Sequence, residues 1–320
     1  MNKFINDLKM YEDFISQYSK INSHAYLILN EDSYMARMIA LMFSCSVIKD
    51  KGDKTFDESM IQRASNGNLI DIKIVPSRNK NIVVDDIKEV ISGCNIKPLE
   101  YNKKSYILLD IDKATIQAQN KLLKTLEETP ENVIFILTAT NEKKIIPTII
   151  SRINLLRAPK ISKSNMISII KKHYKDNDNF NNAIALSKGD FGRALNFLNS
   201  KTFFTVQKEC IEILLEFNGS NQLIKYYNIL MKYNNFIEEV FDSIIHIFID
   251  IIYYKSEKDI LLKNHESKIK ILSEKYNNHA CIKIINRVNK LKIKLESNIS
   301  ITSVINELLI SILEEKYKWS

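Results

Sequence analysis

The 320-residue chain has little glycine and no glycine-rich turn. Its six glycines stand at 52, 67, 93, 189, 192 and 219, roughly a quarter of ordinary usage. None has the spacing of Gly-x-x-x-x-Gly-Lys-Ser/Thr. That excludes a loop whose bare backbone cradles nucleotide phosphates, because such a loop needs glycine for close approach. Cysteine is equally sparse. Cys45, Cys94, Cys210 and Cys281 lie far apart without any Cys-x-x-Cys pair, so they read as reduced core thiols and not as zinc ligands. The N-terminus has no basic-then-apolar leader. The most apolar long stretch, 236–254, carries Glu238, Glu239, Asp242 and Asp250, which argue against a membrane span. The expectation is a cytoplasmic protein with no membrane partner. No internal repeat or low-complexity linker breaks the chain.

Lys and Arg outnumber Asp and Glu by 46 to 38, a net charge of +8. The excess is spread along the chain, so it is only a weak sign of an anionic partner such as DNA. Organisation is more informative. AYLIL (25–29), IDIKIV (70–75), SYILLDI (105–111) and VIFILTAT (133–140) are short, nearly continuous apolar runs. Runs of this kind suit parallel strands covered on both faces. Helical patterns lie between them at about 33–46, 84–94 and 114–128. This alternation predicts an open parallel sheet with right-handed crossovers. Beyond Pro159 only helical spacing remains. The fold class is α/β plus all-α: an α/β domain over 1–159, a small helical domain over 160–201 and a larger helical domain over 202–320.

In an open parallel sheet, ligands bind at the carboxyl ends of the strands. There the first strand runs into LILNEDSYMARMIA, with neither glycine nor Gly-Lys-Ser/Thr. Asn30, Glu31, Asp32 and Ser33 occupy the turn. Glu31 and Asp32 stand at the helix N-terminus, where carboxylates can fill the free N–H donors, complement the dipole and repel phosphate. The third run ends with Asp110, where a nucleotide-hydrolysing enzyme keeps its magnesium-associated acid. The following Ile111 is not the acid that polarises water. Asp112 comes one residue late, and strand alternation points it to the opposite face. A capping or turn role for Asp110 is the alternative to chemistry. Intrinsic ATP hydrolysis is not expected, and no cofactor or metal is expected on this chain.

Residues 106–152, YILLDIDKATIQAQNKLLKTLEETPENVIFILTATNEKKIIPTIISR, resemble the core of clamp-loader AAA+ subunits, above all the delta-prime subunits of bacterial DNA polymerase III. The order and spacing of AQNKLLKTLEETP (118–130), FILTATN (135–141) and IIPTIISR (145–152) carry the resemblance. It extends more weakly through HAYLIL (24–29), VDDIKEVI (84–91), KGDFGRALNFL (188–198) and NELLISIL. It implies an AAA+ sheet domain with a degenerate nucleotide site, a helical lid and a helical collar. The implied function is that of a non-hydrolysing subunit helping to load a sliding clamp onto primed DNA. The implied partners are gamma/tau-type ATPase subunits, a delta subunit, the clamp and primer-template DNA, with ATP and Mg2+ held by neighbouring subunits.

Within that resemblance, Ser151 and Arg152 match a Ser-Arg-Cys motif whose arginine reaches ATP on the adjacent subunit. Ile153 replaces the Cys. A guanidinium suits that work, being permanently charged and forked toward phosphate oxygens. Judged on the residues alone, Arg152 is a surface charge, a DNA contact or a group aimed at something bound elsewhere. Glu127 and Glu128 end a helix where acids oppose its dipole, so they are either merely solvated or required by a neighbouring surface. Many delta-prime subunits carry a four-cysteine zinc module after the first helix. The corresponding segment here keeps only Cys45, so the resemblance implies no zinc. Arg193 sits near a sensor arginine's place, with packing or a salt bridge as its expected role. Thr140 and Asn141 occupy a sensor-like strand end. The alternatives to this reading are a clamp-binding delta subunit and a stand-alone AAA+ ATPase.

Overall fold

The computed structural model describes residues 2–49, 57–76, 81–175, 178–200, 202–296 and 299–317. They form two compact units, Met1–His173 with Asp190–Gly192, and Tyr174–Gly189 with Arg193–Ser320.

In the first unit, β1 (Ala25–Leu29), β2 (Ile72–Val75), β3 (Lys104–Leu108), β4 (Val133–Ala139) and β5 (Asn154–Arg157) build one sheet in the order β2-β3-β4-β1-β5. Every pairing is parallel. Leu27 lies opposite Leu137 and Leu155, and Ile107 opposite Ile136. β3 and β4 are buried along their full length, which is why they read as unbroken apolar runs.

Helices α1 (Glu12–Tyr18), α2 (Ser33–Val47), α3 (Glu58–Ser65), α4 (Val84–Cys94), α5 (Ile116–Glu127), α6 (Pro147–Ile150) and α7 (Lys163–His173) complete this unit. Ile87 and Val90 of α4 and Ala118, Leu122 and Leu126 of α5 pack with Leu27, Leu108, Phe135 and Leu137 in one apolar core. Ala118, Leu122 and Leu126, at helical spacing, form the buried face of α5. That helix begins at Ile116 and not 114, because the side chain of Thr115 accepts from Ala118 N (3.2 Å) and caps it.

Three expectations need correction. The second strand begins at Ile72, two residues late. The third ends at Leu108, and Ile111–Lys113 form a 3-10 turn, so strand alternation does not govern Asp112, which lies buried in that turn. Pro147 opens the single turn α6, in which Ile149 is buried, while Ile145 is buried just before it in extended backbone. Arg152 thus follows a helical turn.

The second unit is helical: α8 (Asp178–Ser187), α9 (Phe191–Asn199, from Arg193 onward), α10 (Phe203–Glu216), α11 (Leu223–Met231), α12 (Ile237–Lys255), α13 (Glu266–Lys275), α14 (Asn278–Glu296) and α15 (Ile301–Tyr317). Its core gathers Phe203, Phe241, Phe248, Leu272, Val288 and Leu308. The acids of the apolar α12 are answered internally. Asp242 pairs with Arg193 (2.9 Å) and Lys292 (2.6 Å). Asp250, fully buried, accepts from the backbone N of Leu261 (2.8 Å) and Leu262 (2.7 Å). Among the described residues no helix is long and apolar enough to cross a membrane.

Candidate functional site

The turn after β1 and the ends of β3 and β4 meet at the carboxyl edge of the sheet. Asn30 is buried; its Nδ2 donates to the carbonyls of Ala158 (3.4 Å) and Pro159 (3.3 Å), and its Oδ1 accepts from Asp32 N (2.9 Å). Asp32 caps α2. Its Oδ1 accepts from Tyr34 N (2.9 Å) and Met35 N (3.1 Å), while its Oδ2 accepts from Phe191 N (2.7 Å) and Gly192 N (3.1 Å). One carboxylate thus takes four backbone donors, two of them at the start of α2, where a phosphate-binding helix would leave its own free. Gly192 is required there, since a Cβ would lie 2.6 Å from Tyr34 Cβ. Glu31 points outward and pairs with Lys160 (2.5 Å).

Asp110 is held by groups of its own chain. It sits in a left-handed turn (φ 50°), with its N donating to Thr138 Oγ1 (2.9 Å). Its carboxylate accepts from Ser33 Oγ (2.7 Å) and Lys113 Nζ (2.9 Å). Asp112, buried, accepts through Oδ2 from Thr140 N (3.2 Å), Thr140 Oγ1 (2.9 Å) and Asn141 N (3.0 Å). The sensor-like strand end is thereby fixed to the chain itself. Asn30, Asp32, Ser33 and Asp110 lie together at this edge, where Asn30 Oδ1 accepts from Asp32 N and Ser33 Oγ donates to Asp110, and Glu31 does not join them.

Ser151 and Arg152 lie elsewhere. They precede the first residue of β5, and in a parallel sheet that is the amino edge, whereas Asp32 follows the last residue of β1. A five-residue strand at ~3.3 Å per residue separates the two edges by about 16 Å. Arg152 Nε donates to Glu127 Oε1 (2.7 Å), at the end of α5. Its Nη1 donates to Thr148 O (2.9 Å) and Ser151 Oγ (3.2 Å), and Ser151 Oγ in turn donates to Thr148 O (3.0 Å). Both members of the ion pair remain partly exposed, at 34% for Arg152 and 47% for Glu127.

A buried glutamine near the start of α5 ties the turn after β3 to the segment that leads from β4 into α6. Gln119 Nε2 donates to the carbonyls of Ile111 (3.2 Å), Ala114 (3.3 Å) and Lys144 (3.2 Å), and its Oε1 accepts from Ile146 N (3.0 Å). It pins the segment leading into α6, and so the base on which Arg152 stands.

Comparison with known proteins places this architecture. The family model described as DNA polymerase III, delta subunit, matches residues 8–162. DNA polymerase III subunit delta' of Buchnera aphidicola subsp. Schizaphis graminum is 27% identical over 250 residues, covering 77% of this chain and 74% of that protein. The gamma subunit of the same organism is 27% identical over 237 residues, 63% of this chain and 64% of its own length. Subunit tau of Bacillus subtilis is 34% identical over 133 residues, 41% of this chain and 23% of its own. The family match thus takes in just under half of this chain, which is similar to DNA polymerase III clamp-loader subunits. Its match spans less than two thirds of the gamma and tau relatives. A solved gamma subunit-related protein of Thermotoga maritima shares the fold of this chain, with a TM-score of 0.54 at 18% identity. That likeness covers 97% of this chain and 99% of the other.

Arg193 pairs with Asp242 and lies over the Phe197 ring (5.4 Å). Cys45 is buried in α2, and burial pushes its thiol up to about 12. Residues 50–56 of the segment compared with a zinc module lie outside the described residues. One residue and one pairing escaped the sequence reading. Gln119 had a signal, a long amide beside Ala118 on the buried stripe of α5. The pairing of Glu127 with Arg152 had none, since the two residues are 25 positions apart.

Proposed function

We propose that this chain is a delta-prime-type subunit that helps load a sliding clamp onto primed DNA without hydrolysing ATP itself. It supplies Arg152 to nucleotide held by a neighbouring gamma/tau-type subunit. The observation that supports this most is the separation of two features along the sheet. The carboxyl edge, where a nucleotide would sit, is filled by Asp32 and its four backbone donors. The one phosphate-suited motif, Ser151-Arg152, is displayed partly exposed at the amino edge.

An arginine on that edge cannot serve its own chain's degenerate site, so its phosphate belongs to another subunit. Delivered in trans, the guanidinium stabilises charge developing on the transferred phosphoryl group. ATP and Mg2+ are held by the neighbour, and this chain works without a zinc module. A delta subunit, the clamp and primer-template DNA are the further partners, DNA being met through its phosphates. The assembly works in the cytoplasm.

Relatives named gamma and tau raise the reading of an ATPase in its own right. The acidic turn after β1 weighs against it, because Asp32 consumes the donors a triphosphate needs. Equilibrium binding of ATP to the purified full chain separates the two: the proposal expects no micromolar affinity, and micromolar affinity contradicts it.

A further inference from the structure

An arginine grips a phosphate with two adjacent N–H groups, and Arg152 does not have such a pair free. Its Nε–H is given to Glu127, and the two hydrogens of Nη1 go to Thr148 O and Ser151 Oγ. Nη2 lies against the same Glu127 oxygen as an ion pair. At most one N–H is left uncommitted. A forked grip on phosphate therefore requires one of these contacts to be surrendered.

Glu127 is the contact most open to exchange. It is the last residue of α5, where a carboxylate opposes the helix dipole, so the helix itself gains nothing from it. It is partly exposed, as is Arg152, and an ion pair of this kind is weak and screened by solvent. A triphosphate brought up by a neighbour carries more charge than one carboxylate and offers more acceptor oxygens. It competes with Glu127 for the same cation.

We propose that Glu127 is a positioning residue that holds Arg152 at rest on its own chain, so that a neighbour's phosphate engages the guanidinium only by displacing this carboxylate. Thr148 O and Ser151 Oγ keep the arginine near the edge while the exchange occurs. The pair therefore sets a threshold on turnover: a loosely docked neighbour does not win the arginine, and a tightly docked one does. This inference rests on Arg152 acting in trans.

The test uses the full chain reconstituted with its partner ATPase, delta subunit and clamp, with ATP turnover measured in the presence and absence of primed DNA. Glu127→Gln keeps the shape and removes the charge. Turnover without DNA is expected to rise about two- to five-fold, the range set by an exposed ion pair. Turnover with DNA changes less, so the stimulation ratio falls. Glu127→Ala is the second variant and moves the same way. A merely structural glutamate would lower both rates or leave them unchanged, and either result overturns the inference when Arg152→Ala still lowers turnover. If Arg152→Ala leaves turnover unchanged, the trans-arginine reading itself falls, and this inference with it. In the free chain, the Nε–H resonance that Arg152→Lys abolishes should exchange slowly with solvent. It should join the fast-exchanging surface arginines in Glu127→Gln; an unaltered exchange rate would overturn the resting contact.

Discussion

The Nε of Arg152 donates to the Oε1 of Glu127 across 2.7 Å, tying the residue that leads into β5 to the last residue of α5. The link crosses 25 positions of sequence, yet both residues are partly exposed. Exposed ion pairs contribute about 0.2–1 kcal/mol. Arg152→Ala and Glu127→Ala should each shift the unfolding free energy of the free chain by less than about 1 kcal/mol in urea titration. A larger loss would give the pair a structural role in place of a functional one.

Gln119 should behave in the opposite way. Replacing it with Leu removes its amide contacts to the Ile111, Ala114 and Lys144 carbonyls and leaves the Ile146 N–H without its partner. The expected cost is about 2–4 kcal/mol. Hydrogen exchange should quicken at Ile146 and through α6, because that segment loses its anchor. Unchanged exchange there would mean α6 is held by Ile145 and Ile149 alone.

Asp32 makes a separate prediction at the other edge of the sheet. Asp32→Ala strands the donors of Tyr34, Met35, Phe191 and Gly192, at a cost of about 2–4 kcal/mol. Asp32→Asn keeps one acceptor oxygen and should lose less. Gly192→Ala should cost about 1–3 kcal/mol through its clash with Tyr34. Thermal or urea melts of the three variants check this ranking.

His246 makes the second unit sensitive to acid. Its ring is buried against Phe197, its Nδ1 has no hydrogen-bond partner, and burial holds it down to about 3. Asp242 nearby favours the charged form, while Arg193, Lys188 and Lys292 oppose it. The folded value lies below the unfolded ~6.5, so the unfolded chain binds the extra proton between them. Stability from this residue is complete above pH 6.5 and falls by about 1.4 kcal/mol per unit as pH drops below it. His246→Leu should flatten the difference in urea midpoint between pH 6 and pH 4.5; an unchanged slope would show that the ring is protonated in the fold.

The central strands were legible in the sequence because burial on both faces leaves continuous apolar runs, and the start of α2 because Asp32 marks it, whereas the cap that starts α5 at Thr115 was passed over. β5 escaped: four residues with only Leu155 and Leu156 apolar look like a loop until β1 is there to pair with them. Asp112 was misread for a related reason, since the strand stops at Leu108 and the following turn resets side-chain direction. At the sites, the acidic filling of the β1 turn could be read from residue types alone. That Asp32 also reaches Phe191 and Gly192, and that Arg152 rests on Glu127, depends on the chain's return after long excursions, which local pattern does not encode.

The central claim is that Arg152 acts on nucleotide held by another subunit, and Arg152→Ala in the reconstituted loader tests it most directly. Assembly, followed by gel filtration or sedimentation, should remain intact, while ATP turnover stimulated by clamp and primed DNA should fall several-fold, with Arg152→Lys restoring little because an ammonium lacks the planar fork. Intact assembly with wild-type turnover would contradict the account.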